Sequence, residues 1–248
     1  MNWIYLSPHF DDAVLSCGGL VWEQVQSGQP VEIWTICAGF PPSAPISPVA
    51  QALHHRWQTP TGGLEAVSTR RAEDLAACRR LGAATRHFDI PDCVYRWLPG
   101  GGPVISEDQG MFAPINPQEA YLVDEVYEKL KSGLPAGARL VCPMTVGGHM
   151  DHRIGRAAAE RLGCGDLLYY ADFPYSALHP LELAVTTALF TKEYSLPVSR
   201  AGIQAWQDGV AAYQSQISTF WAGRKELDAA IEAYNREGAG RTLWRAAA

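Results

Sequence analysis

Apolar positions along this chain follow two periods, and the periods take turns. Short apolar runs suited to buried strands occupy residues 3–7, 31–37, 86–90, 139–143 and 167–171. Between them lie stretches whose apolar residues recur every three or four positions. These are 13–26 (Val14, Leu15, Leu20, Val21, Val25), 69–81, 117–132 and 152–162. Strand and helix in alternation imply a mostly parallel sheet covered by helices, so the pattern predicts an α/β fold of Rossmann-like, three-layer α/β/α type. Ser68 reads as the cap that opens helix 69–81, and Gly82 as the glycine that ends it. Past Pro174 the alternation breaks. Residues 184–194 look extended and outside the parallel core, and helices near 200–216 and 224–236 give a C-terminal segment of mixed extended and helical character. Without a repeat or a linker, residues 1–248 read as one domain.

Two stretches carry neither period: 38–67, rich in proline with His54, His55 and Trp57, and 91–117, with Tyr95, Trp97, three consecutive glycines and Phe112. Irregular segments of this length in a compact protein are usually functional, and their aromatic residues suit a binding surface. A formal charge of -6 argues against nucleic acid as the partner, because phosphate neutralisation needs a basic face. No stretch is apolar enough to span a bilayer, and the N-terminus lacks a signal-peptide pattern. The six cysteines are scattered within apolar runs, as small buried hydrophobes of a reducing compartment, so the cytoplasm is the expected location. A homo-oligomer is compatible with the composition.

The chemistry concentrates at two strand ends. The first strand runs into Pro8-His9-Phe10-Asp11-Asp12, and the strand at 139–143 leads to Gly147-Gly148-His149-Met150-Asp151-His152. In an open α/β sheet, ligands bind beyond the carboxyl ends of the strands where strand order reverses. If these two strands are neighbours there, both clusters meet. Imidazole and carboxylate donors suit a divalent cation such as Zn2+, and three protein ligands would leave a position open for water. Adjacent Asp11 and Asp12 point in different directions, so one can hold the metal while the other stands beside it. On its own, His149-x-x-His152 also suits an ordinary helix start, with Asp151 as the N-cap. Gly18 and Gly19 weaken a helix, and close packing against the sheet is a reason to keep them.

Pro8-His9-Phe10-Asp11-Asp12 with Gly18-Gly19, joined to His149-x-Asp151-His152, resembles the PIG-L/LmbE family of zinc-dependent N-acetylglucosaminyl deacetylases. Weaker likenesses are Arg70-Arg71-x-Glu73 leading to Leu81-Gly82, the run Tyr169 to Tyr175, and Tyr213 to Gln216. The resemblance implies removal of an N-acetyl group from an amino sugar or its conjugate by metal-activated water. It implies His9, Asp12 and His152 as metal ligands and Asp11 as general base. His149 would stabilise the oxyanion or protonate the leaving amine, with Asp151 in support. Phe10 and Ala13 depart from the family, which commonly has proline and glutamate there, and this bears on substrate more than on reaction. Arg70 and Arg71, expected at a helix start, are the candidates for substrate contact. The competing readings are a hydrolase of another amide or ester at the same site, and a catalytically silent ligand-binding relative.

Overall fold

The computed structural model describes residues 1–43, 45–59 and 62–247; Ala44, Pro60 and Thr61 of the proline-rich stretch, and Ala248, lie outside it. The chain opens with β1 (Trp3–Ser7), α1 (Asp12–Gln26), β2 (Val31–Thr35), α2 (Pro48–Arg56), α3 (Gly63–Leu81) and β3 (Ala84–His87). It continues through α4 (Tyr121–Gly133), β4 (Arg139–Pro143), α5 (Met150–Arg161) and β5 (Leu168–Tyr170). The last part holds α6 (Tyr175–Leu178), α7 (Pro180–Thr187), β6 (Phe190–Ser195), α8 (Arg200–Val210), α9 (Gln214–Phe220), α10 (Arg224–Glu237) and β7 (Thr242–Ala246).

The strands form a seven-stranded sheet in the order β3-β2-β1-β4-β5-β7-β6. Strands β1 to β5 pair in parallel, and β7 runs antiparallel to both β5 and β6. The expected neighbours β1 and β4 do pair, with Trp3 opposite Arg139 and Tyr5 opposite Val141. Strand order reverses between them, which puts the loops after both strands at one crevice.

Strand β1 explains its own position. Every residue is buried, and successive side chains point to opposite faces. Trp3 and Tyr5 enter the core shared with Val14, Leu20, Leu81 and Trp206, while Ile4 and Leu6 join Trp34, Leu122, Val126, Leu140 and Ile154 beneath the other helical layer. Burial on both faces is what a central parallel strand requires.

Several expectations are corrected in detail. Helix α3 begins at Gly63, not after Ser68, so Arg70 and Arg71 lie well inside it. Gly82 does end it in the left-handed region, at φ 74°. The stretch 38–67 contains α2, capped by Ser47, whose Oγ accepts from the Ala50 amide. Residues 184–194 are part helix and part strand: Pro180 at the first turn starts α7, and only from Phe190 does the chain extend into β6. The expected helix 200–216 divides at Tyr213 into α8 and α9. The glycines of α1 face a helix, not the sheet. A Cβ at Gly18 would lie 2.3 Å from Trp206 Cδ1, and Trp206 Nε1 donates to the Val14 carbonyl at 2.8 Å. Among the described residues, no helix is long and apolar enough to cross a membrane.

Candidate metal and catalytic site

Beyond β1 the backbone turns sharply, and Ser7 holds the turn. Its hydroxyl donates to the His9 carbonyl (2.5 Å) and accepts the Ala13 amide (3.0 Å). The turn leaves Asp11 as the N-cap of α1 without a side-chain capping bond, so its carboxylate stays free for the crevice. Beyond β4, positive φ at Gly147 (83°) and Gly148 (72°) carries the chain over to α5. The N-cap of α5 is His149, not Asp151: the His149 side chain accepts the Asp151 amide at 3.3 Å. Helix α5 starts at Met150, which places His152 inside its first turn.

The structure brings the two clusters together. The ring of His9 lies 4.7 Å from that of His149 and 5.5 Å from that of His152, and His149 and His152 are 5.1 Å apart. Asp12 sits among them: its Oδ2 accepts the His9 amide (2.7 Å) and faces His9 Nδ1 (3.3 Å), while Oδ1 faces His152 Nε2 (3.4 Å). On its other edge, His9 Nε2 meets Asp151 Oδ2 at 3.1 Å. Asp11 points elsewhere, with Arg70 Nη2 3.9 Å from its Oδ1.

A second tier of charges fixes the first. His152 Nδ1 pairs with Asp172 Oδ1 (2.7 Å), and the other oxygen of Asp172 accepts the Val146 amide (3.0 Å). Asp151 Oδ1 accepts from Arg96 Nη2 (2.7 Å), its Oδ2 from the Cys93 amide (3.0 Å), and Arg96 Nε donates to Glu119 (2.6 Å). Both histidines therefore lie between two carboxylates, the arrangement that orients metal-binding imidazoles. The sequence reading missed Asp172, Arg96, Glu119 and Asp92. Asp172 stood in the Tyr169–Tyr175 run, with its proximity to His152 visible only once β4 and β5 paired. Arg96 comes from the 91–117 stretch, whose lack of periodicity offered no signal, and Glu119 opens the 117–132 helical pattern, where an acidic residue is ordinary.

The donor set fits a divalent cation. His9, His149 and His152 each offer a ligand atom within 4.8 Å of the others. His152 Nε2 is buried without a hydrogen-bond partner, an orphaned group that a metal would satisfy. Burial lowers the affinity of His152 for a proton, yet Asp12 and Asp172 outweigh it and raise its pKa to about 9. Burial likewise acts against a charged His9, and Asp92, Asp12 and Asp151 override it. A dication between these rings would replace both protons. Among the described residues, two other donor sets, His9–Cys37–Asp151 and Cys93–His149–Asp151, include thiols. Both run through Asp151, already neutralised by Arg96, and five of the six cysteines are buried without disulfides.

The two adjacent aspartates differ in character. Burial raises the pKa of Asp12, but the charge of His152 beside it, with the charge and hydrogen bonding of His9, holds it well below the carboxylate range. Asp11 is raised to about 6 by burial and by the neighbouring Asp12, with Arg70 and His9 pulling the other way. His149 is pushed well below the ordinary histidine range, by burial and then by the charges of His9 and His152. It is the neutral ring of the three.

His9, Asp11, Asp12 and His149 open into a cavity of about 280 Å³. Arg70 lines it too, sandwiched between Trp57 (4.5 Å to the ring centre) and Phe10 (5.3 Å), with its Nε buried and unpartnered. Phe10, where the family commonly has proline, thus backs a cavity residue and stacks edgewise on His87. Arg71 turns away: Nη1 donates to the Ala38 carbonyl (2.6 Å) and the guanidinium covers Phe40. Of the loop aromatics, Trp57, Phe112 and Tyr175 line the cavity. Trp97 is not among its lining residues.

Comparison with known proteins agrees with this geometry. The chain is 28% identical over 191 residues to 2'-N-acetylparomamine deacetylase of Niallia circulans, covering 71% of this chain and 68% of that protein. Its fold is similar to the zinc-inhibited form of teicoplanin deacetylase Orf2, with a TM-score of 0.81 and 27% identity, over 98% of this chain and 97% of the other. The fold alone is shared with N,N'-diacetylchitobiose deacetylase from Pyrococcus horikoshii, at TM-score 0.57 and 15% identity over 98% and 82% of the two chains. The family model described as PIG-L, GlcNAc-PI de-N-acetylase, matches residues 4–163, so this chain belongs to the PIG-L family.

Proposed function

We propose that this protein is a metal-dependent N-deacetylase that hydrolyses the N-acetyl group of an amino sugar of the N-acetylglucosamine type, or of a conjugate of one, with residues 1–248 acting as one domain. One observation carries the reading: two adjacent carboxylates with separate surroundings, Asp12 held by both histidines and Asp11 facing the cavity beside Arg70. A ligand-binding protein has no use for the second. The named activities of the relatives point to the same bond.

His9, Asp12 and His152 would hold the cation. When bound there, a divalent cation such as zinc supplies polarisation of the amide carbonyl and acidifies the attacking water. Asp11 accepts the proton of that water as its oxygen adds to the carbonyl carbon. His149 is the neutral donor: its Nδ1 accepts the Asp151 amide, which leaves the proton on Nε2 for the developing oxyanion. The C–N bond then breaks as the nitrogen takes the proton that Asp11 holds, so the amine leaves, Asp11 returns to its carboxylate and acetic acid is released, ionising to acetate. Asp151 and Asp172 orient His9 and His152, and Arg70 binds substrate oxygen atoms at the cavity wall. Arg71, tied to Ala38, does not take part.

The test is release of amine from a panel of N-acetyl amino sugars by metal-loaded protein, with and without chelator. Chelator-sensitive release is the expected result. Full release in the presence of an effective chelator, with the metal shown to be absent, would remove the metal from the reaction.

A further inference from the structure

Two carboxylates that are neighbours in α3 hold the start of α9. Asp74, wholly buried, accepts the Tyr213 hydroxyl at 2.7 Å, and Thr35 Oγ1 (3.1 Å) and His87 Nε2 (2.7 Å) fix it to the sheet. Glu73 takes both donors of Ser215: its Oε1 accepts the amide (2.9 Å) and its Oε2 the hydroxyl (2.6 Å). Gln216 comes next in the chain, is buried, and lines the reaction cavity. Its Nε2 donates to Ser215 Oγ at 3.0 Å.

The direction of every proton in this relay is forced. With two donors on it, the Glu73 carboxylate only accepts, so the Ser215 hydroxyl gives its single proton to Glu73. Ser215 Oγ then has lone pairs alone to offer, and only the amino end of the Gln216 amide can meet it. Turning the amide over would set oxygen against oxygen. The carbonyl Oε1 is therefore the end left for the cavity, and among the described residues no protein group donates to it. Arg70 stands on the same face of α3, three residues before Glu73, and lines the same cavity with its Nε buried and unpartnered. A guanidinium can only donate. A sugar hydroxyl carries one proton and two lone pairs, so one that accepts from Arg70 still has its own proton to place.

Resting on the deacetylase reading above, we infer that Gln216 determines specificity: its Oε1 accepts the proton of one ring hydroxyl of the amino sugar, while Arg70 donates to the oxygen of the same hydroxyl. Ser215 and Glu73 are positioning residues, which keep the carbonyl end of the amide toward the substrate. The site thereby selects a free hydroxyl at that ring position over hydrogen, an ether or an ester, none of which has a proton to give. The other acceptor near Arg70 is Asp92, whose Oδ1 already accepts the Val94 amide (3.2 Å) and whose Oδ2 faces His9 (3.8 Å) and Arg70 (3.6 Å).

The experiment measures kcat/KM for amine release from the methyl glycoside of 2-acetamido-2-deoxyglucose and from its 3-deoxy, 4-deoxy and 6-deoxy derivatives, on metal-loaded protein. In the wild type, one deoxy derivative should fall about tenfold to a hundredfold below the parent, the scale of two hydrogen bonds to one hydroxyl. Gln216→Met keeps the length of the side chain and removes the acceptor. It should lower the parent about tenfold and that deoxy derivative hardly at all, so the gap narrows to the few-fold share of Arg70 and the two losses do not add. Ser215→Ala should narrow the same gap, because the amide is then free to turn over, and Ser215→Thr should restore it. Metal content and thermal midpoint of the variants check that the fold and the metal site are intact. Equal kcat/KM for the parent and every deoxy derivative in the wild type would overturn the inference. A Gln216→Met loss of one size on all four substrates would also overturn it by marking a structural role, and a gap left undiminished in Gln216→Met would do so by assigning the hydroxyl proton to Asp92. Absence of amine release from all four would instead overturn the deacetylase reading itself.

Discussion

The segment matched by the family model and the segment after residue 163 differ in what they give the site. The first supplies the residues proposed above to react: His9, Asp11 and Asp12 after β1, and His149, Asp151 and His152 after β4. The second supplies Asp172 behind His152 and the wall of Pro174, Thr219 and Phe220. In the proposed reaction, one segment carries the bond chemistry, while the other orients a metal ligand and shapes the space for substrate. The reaction can therefore stay fixed while the second segment changes which amino sugar enters. Fold-level likeness informs about the first more than the second.

That division breaks most visibly if the first segment is damaged. His152→Ala should abolish stoichiometric metal and, with it, chelator-sensitive amine release. Metal content of the purified variant is the measurement, and full occupancy would mean that the third ligand lies elsewhere. Asp11→Asn should keep its metal yet lose about 10²–10⁴-fold in kcat, because asparagine cannot accept a proton. Metal loss in Asp11→Asn, with retention in Asp12→Asn, would reverse the two carboxylates.

Asp172→Asn tests the boundary between the segments. Asparagine preserves the shape but not the charge behind His152, and second-tier carboxylates typically contribute about 10–100-fold in metal affinity. A competition titration with a chelating dye should read that loss, and added metal should restore most turnover. Undiminished affinity would confine the metal site to the first segment. Gly18→Ala probes the packing that joins the two, since the new methyl group would enter the Trp206 ring. Overpacking of this kind costs about 1–3 kcal/mol. Urea denaturation should show it as a lower midpoint at unchanged slope.

The smallest effect belongs to the outer face of the second segment. Burial raises the pKa of Asp208, but hydrogen bonds from Arg224 and Gln204 bring it below the ordinary value. A carboxylate depressed on folding stabilises above its unfolded pKa near 3.9. That contribution is lost as pH falls through the lower folded value. With the Arg224 and Asp208 side chains 43% and 45% exposed, the contribution stays below about 1 kcal/mol. Arg224→Ala should remove that much at pH 7 and progressively less as pH falls through the folded value, with amine release unaltered.

What the sequence disclosed follows the same line. Strands β1 and β4 are central with their side chains buried on both faces, and α1 and α5 are periodic, so their order could be read from spacing and the meeting of their loops from the rule for open sheets. The residues behind them could not. Arg96 acts through Asp151 from a stretch with no repeat, and nothing local marks it as buried. Strand β7 was missed because Thr242-Leu-Trp-Arg-Ala is short and carries a charge, and its place depends on β5 and β6 reaching it from either side. Arg71 misled because its neighbour Arg70 is what faces the cavity; one step around a helix turns a side chain by about 100°.

The bond between His152 and Asp172 also has a bearing on the order of assembly. Every residue expected to touch the cation has been synthesised once His152 leaves the ribosome, but the carboxylate that aims His152 follows 20 residues later. It reaches the histidine only when β5 has joined β4. A nascent chain would thus meet zinc with its donors present and their aim unset, and firm capture would report that the sheet had grown past its midpoint. A chain arrested before β5 docks would hold the ion more weakly, by about the 10–100-fold that such a carboxylate contributes.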